Sequence, residues 1–281
     1  MTPERKRIYI VVKTYPTISK EYSELVCTAG VLENGSWIRL YPVPFRKLDF
    51  DQKYPKYTWI EVDVTRNTKD FRPETYRPNL ATLSVDKPVK QRRVDWDERR
   101  RIIFNNKKVY TDFQELIDTA KKDDTSLAVF KPAKVLDFVV EPAERDWDTA
   151  KLAILHGLSL QQNLFQTPEE IEQEFKVVPK VPYKFSYKFE DETGKSRTLV
   201  IEDWEIGMLY FHCLQRADGN ESVATAKVRE KYFDEFIKKD LHFFLGTTLR
   251  FHNISQSPFI IIGAFYPPIQ SSDKQISLFD T

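Results

Sequence analysis

The chain has 281 residues, 41% of them hydrophobic and 14% aromatic, with 43 basic side chains against 42 acidic ones and a net charge of +1. Its 8 glycines fall far short of the roughly 20 that a usual share of about 7% would give. No G-x-G-x-x-G turn and no G-x-x-x-x-G-K-[ST] loop occurs, which excludes dinucleotide-binding and P-loop chemistry at the level of motif, and no apolar run approaches the roughly 20 residues of a membrane-spanning helix.

The charged start, residues 4–7, runs straight into a strand-like segment without a signal-peptide apolar region, so the expected setting is the cytoplasm, away from membranes. Cys27 and Cys213 lie in apolar runs far apart and read as buried free thiols of a reducing compartment. Residues 7–13, 24–32, 36–41 and 57–64 are β-branched and aromatic, with Asn34-Gly35 as a hairpin signal between two of them. Pro16, Pro42, Pro44 and Pro55 mark irregular connections, and several short strands without helices between them predict a small barrel. Helical periodicity begins after Asp95, where Phe113, Leu116, Ile117 and Ala120 form a stripe capped by Thr111 or Asp112. Strands at 126–130 and 133–140 are expected to close the barrel.

Residues 141–180 form an acidic connector. Beyond it, residues 183–189 and 197–201 predict a hairpin turning at Gly194. Asp203 is a cap for a helix over 204–215 that turns Ile206, Leu209, Tyr210 and Cys213 to one face. A second helix over 222–239 places Val228, Tyr232, Phe233, Phe236 and Ile237 inward, and strands follow at 241–251 and 258–266. The fold class is α+β: a small N-terminal β-barrel with a basic helical insertion (1–140), the connector (141–180), an α+β domain of two helices and antiparallel strands (181–268), and a tail (269–281).

Residues 87–108 hold nine basic side chains, including Arg92, Arg93, Arg99, Arg100 and Arg101, against three acids, a net +6 strip in a near-neutral chain. Such a strip suits phosphates, with Trp96 and Tyr110 available to stack on bases; the alternative is a solvated helix face of Asp–Arg pairs. Trp37, Arg39 and Tyr41 alternate with Ile38 and Leu40 and so share one strand face, suited either to base stacking and phosphate contact or to a core around a buried Arg. Glu202, Asp203 and Glu205 cluster ahead of a helix bearing His212; alternating carboxylates of this kind hold Mg²⁺ in nucleases, whereas a helix cap explains Asp203 equally. Asp203 and Glu205 are the weak catalytic candidates; whether the chain is an enzyme stays open, and no metal ligand set or cofactor motif is present.

Two segments carry resemblances. Leu25-Val-Cys-Thr-Ala-Gly-Val31 and Gly35-Ser-Trp-Ile-Arg-Leu-Tyr-Pro-Val43 resemble the opening of bacterial dual OB-fold-like proteins, which pair a Cys-x-Ala-Gly strand with a Gly-x-Trp-Ile-Arg strand. That resemblance implies an OB-like barrel and a DNA or RNA partner. The terminal Gln275-Ile-Ser-Leu-Phe279 is similar to the pentapeptide by which bacterial replication and repair proteins dock on the β sliding clamp. It implies that Gln275, Leu278 and Phe279 bind that clamp, with DNA repair, replication control or phage defence as the setting. A weaker echo occurs at Gln161-Gln-Asn-Leu-Phe165. The expected function is thus a clamp-tethered nucleic-acid-binding protein; the alternatives are a metal-dependent enzyme on DNA or nucleotides, and a protein adaptor that binds no nucleic acid.

Overall fold

Strand β1 (Glu4–Lys13) alternates as its sequence dictates: Ile8 and Ile10 point into one core, Tyr9 and Val11 into another. The computed structural model describes residues 2–19, 23–86, 95–150, 152–153 and 177–270. β1 is flanked on one side by β3 (Ser23–Leu32) and on the other by β5 (Trp59–Arg66). β3 pairs with β4 (Trp37–Val43), β4 runs parallel to β6 (Thr75–Val85), and β6 returns to β5. The ring is closed. Its five strands enclose a core of Ile8, Ile10, Val26, Ile38, Leu40, Ile60, Val62 and Val64, in the strand order of an OB-fold. A short β2 (Thr17–Ser19) extends β3 at one rim.

The β3–β4 hairpin turns at Gly35 as expected. Gly35 has φ +88°, and a Cβ there would lie 2.2 Å from the Asn105 carbonyl oxygen, so both conformation and contact require glycine. β6 has no counterpart among the predicted strands. Pro78 and Asn79 sit inside it and break the strand signal, and the β5–β6 register shifts between Glu61 and Asp63 to accommodate them.

After the barrel come α1 (Trp96–Ile103), β7 (Val109–Tyr110) and α2 (Phe113–Lys121), the last capped by Asp112, which accepts the Gln114 N–H at 2.8 Å. The next strands, β8 (Leu127–Phe130) and β9 (Lys134–Pro142), do not close the barrel. β8 is buried throughout and lies between β7 and β12 (His242–Thr247); β9 pairs with β10 (Tyr183–Glu190). With β1 hydrogen-bonded on both sides, the barrel has no free edge to receive them. The C-terminal half thus holds a four-stranded sheet, β13-β12-β8-β7, with β13 at Phe259–Phe265, and a three-stranded antiparallel sheet, β11-β10-β9, with β11 at Ser196–Val200.

Helix α3 (Trp204–Arg216) buries Ile206 and Tyr210 on that half's core. The expected second helix is α4 (Glu221–Arg229), continued by a π-turn at Glu230–Glu235 and a 3-10 turn at Phe236–Lys238. The wider turn rotates the inward face: Val228, Tyr232 and Phe236 are buried, while Ile237 is exposed. A third core joins the halves, with Tyr9, Val11, Val12, Ala29 and Val31 of the barrel's outer surface packed on Ile103, Leu127, Val129, Phe244, Ile262 and Phe265. Among the described residues, no helix is long and apolar enough to cross a membrane.

Candidate functional site

Trp37, Arg39 and Tyr41 share one face of β4, but that face turns toward the C-terminal half. Trp37 meets Phe244 edge-on at 6.0 Å, and the Lys107 ammonium sits 4.6 Å above its ring. Burial pulls the Lys107 amine down to about 8. Arg39 is 1% exposed. Its guanidinium donates to Thr75 Oγ1 at 3.2 Å, to Ser126 Oγ at 2.6 Å and to the Ser126 carbonyl at 3.1 Å. Ser126 Oγ in turn donates to Glu74 at 2.6 Å, so the arginine reaches a carboxylate only through a hydroxyl.

The same face walls a cleft of about 510 Å³ between the barrel and the β12–β13 sheet. Cys27, Arg39 and Tyr41 line it from the barrel strands, Arg72 from the β5–β6 loop, and Gly246 to Leu249 and Ile262 from the far side. These are the strands and loop by which OB-folds take their ligands. Arg72 is fixed by a fork onto Asp70 at 2.9 and 2.5 Å and donates to the Thr247 carbonyl across the seam. Burial alone would raise the Asp70 carboxyl; the fork holds it below its ordinary value.

Two loops form the mouth. Phe71, 49% exposed, stands beside Arg72 on one, and Leu249, Phe251 and Ile254 are exposed on the other. The Arg250 guanidinium lies 5.2 Å from the Phe251 ring. Buried His252 pins the second loop: Nδ1 meets Thr247 Oγ1 at 2.7 Å, Nε2 meets Asp123 at 3.1 Å, and its ring touches Phe71 at 5.4 Å. Sequence reasoning missed this mouth. The available signal was an adjacent Phe and Arg in each of two polar loops, Phe71-Arg72 and Arg250-Phe251.

His252 also sets a pH dependence. Burial lowers the pKa of both His252 and His242, so the folded state disfavours their protons. The unfolded chain takes them up below about 6.5, so this stability is complete above that pH and is lost as pH falls. Thermal melts from pH 7.5 to 5.5 should therefore show a falling midpoint, steepest below pH 6.5. His252→Gln should start lower and lose less on acidification; a flat profile for the native chain would contradict the assignment.

Asp203 and Glu205 lie elsewhere. Asp203, 1% exposed, caps α3 by accepting the Glu205 N–H, and its oxygens lie 3.4 and 3.3 Å from Lys56 Nζ, which also reaches Glu205 at 2.9 Å. Burial alone would lower Lys56; the two carboxylates hold it above its ordinary range. Lys13 lies nearby, brought down to about 8 by burial and by the Lys56 charge. Among the described residues, no three His, Cys, Asp or Glu side chains gather as a metal site would require.

The basic strip is divided. Arg99 lies 4.0 Å over the Tyr57 ring. Arg100 pairs with Asp240 at 2.7 Å and donates to the Pro268 carbonyl at 2.7 Å, and Lys108 pairs with Glu115. Arg101 is exposed. Arg92 and Arg93 lie outside the described residues, as do the 161–165 echo and Gln275, Leu278 and Phe279 of the tail.

Residues 109–281 match the family model described as a domain of unknown function, DUF8757, and residues 4–105 match a second, DUF8758. Among solved structures, one of a murine DNA-binding protein bound with double-stranded DNA aligns with 95% of this chain and 96% of that chain, at 10% identity and a TM-score of 0.29. No curated protein matches.

Proposed function

We propose that this chain, which belongs to the DUF8757 family of domains of unknown function, binds single-stranded nucleic acid across the mouth of the Arg39–Arg72 cleft. The observation that carries the reading is the placement of exposed Phe71 and Phe251, with Arg250, at the ligand-binding edge of an OB-ordered barrel. Unpaired bases stack on such rings whatever their identity, and an exposed guanidinium supplies phosphate contact. A paired duplex offers the rings no base face, which favours a single strand. The Lys56–Asp203–Glu205 cluster reads as an internal ion-pair network, which favours binding over metal-dependent catalysis.

Fluorescence anisotropy with a labelled oligonucleotide of about 12 nucleotides tests this, since one OB-fold covers roughly 4 to 16. Phe71→Ala and Phe251→Ala should each weaken binding by about 1–3 kcal/mol in the folded protein. An affinity that ignores both substitutions would remove the reading, and the absence of any salt-sensitive binding would favour the protein-adaptor alternative.

The tail extends the proposal to a tether on a bacterial β sliding clamp, supported by the Gln275–Phe279 sequence. Such a tether raises local concentration at DNA without tight intrinsic affinity, which suits a net charge of +1. It would place the protein in DNA repair, replication control or phage defence. A peptide of residues 271–281 should bind a purified clamp near micromolar, about −8 kcal/mol. Leu278→Ala or Phe279→Ala should each cost about 2 kcal/mol, and Gln275→Ala about 1 kcal/mol. A peptide that ignores the clamp would end this part alone.

A further inference from the structure

Resting on that reading of the mouth, we infer that the cleft behind it receives one unstacked nucleobase. Its 510 Å³ fits a single small-molecule-sized group, within the roughly 300–1,000 Å³ of such sites, and excludes a strand. Leu25, Tyr41, Ile260 and Ile262 give it flat apolar walls. The charges along it are already answered: Arg72 by Asp70, and Arg39 by Glu74 through Ser126. Glu202 adds a carboxylate to the lining. A phosphate entering here would find no free cation and one like charge, whereas a neutral planar base meets neither obstacle.

The wall does hold two buried donors without acceptors, the Arg39 Nε–H and the Thr248 hydroxyl. Unmet donors in an apolar cleft are what a carbonyl oxygen satisfies. Guanine, thymine, uracil and cytosine bring such oxygens, and the ring nitrogens of adenine accept in the same way. The backbone phosphates then remain outside, beside exposed Arg250.

The chain's two cysteines make a direct test. Cys27 lines the cleft, whereas Cys213 packs against the C-terminal core. In a Cys213→Ser protein, saturating oligo-dT should slow iodoacetamide alkylation of Cys27 about tenfold or more. Thr248→Val removes one donor at nearly constant volume and should weaken oligo-dT binding about threefold or more. If oligo-dT binds and Cys27 stays reactive at saturation, the strand lies on the mouth alone: the base pocket is overturned and the nucleic-acid reading stands. If oligo-dT does not bind, both are overturned.

Discussion

Lys56→Met should lower the unfolding free energy by about 3–5 kcal/mol, because it leaves a buried carboxylate without its cation. The Lys56 side chain is 3% exposed and that of Asp203 1%, so water cannot replace the lost partner. Glu205, at 45% exposure, can turn to solvent and should contribute little to the loss. Combining Lys56→Met with Asp203→Asn should recover a large part of it, since the amide oxygen still accepts the Glu205 N–H at the start of α3 while the charge is gone. Urea titrations of the three proteins measure this directly. A loss below about 1 kcal/mol for the single variant would mean that Asp203 is hydrated, which would restore it as a catalytic candidate.

Arg39→Met should cost a similar amount, about 3–5 kcal/mol. Its guanidinium joins β4 to Thr75 of β6 and to Ser126 ahead of β8, so one side chain ties the barrel to the C-terminal half. Without it, Ser126 and Glu74 keep each other but lose the cation that both face. Arg39→Lys should recover little, because a compact ammonium cannot span both partners as the planar fork does. Equal stability of the lysine variant and the native protein would show that charge alone, not the fork, holds the seam.

Strands β1, β3, β4 and β5 were legible because β-branched alternation is a local property, and so was the pairing across Asn34-Gly35. The partners of β8 and β9 were not: a run such as Leu127–Phe130 says that a strand is buried on both sides but not by which neighbours. The same limit governs β4. Its period of two places Trp37, Arg39 and Tyr41 on one face, while the identity of whatever covers that face is a tertiary fact. The mouth was least accessible to sequence, since Arg72 and Thr247 meet across 175 residues of chain. The role of His252 was not legible either, since it depends on Asp123, far away in the chain and on another loop.

The seam between the halves also bears on how the protein is made. β1 is translated well ahead of its cover: the outer row of Tyr9, Val11 and Val12 lies under Phe244, Ile262 and Phe265, far along the chain. The barrel ring can close early, because its five strands are complete by Val85. At a synthesis rate of about 5–20 residues per second, its oily flank then waits roughly ten seconds or more for its lid. During that interval the nascent barrel carries an uncovered apolar flank, which only the arrival of β12 and β13 buries.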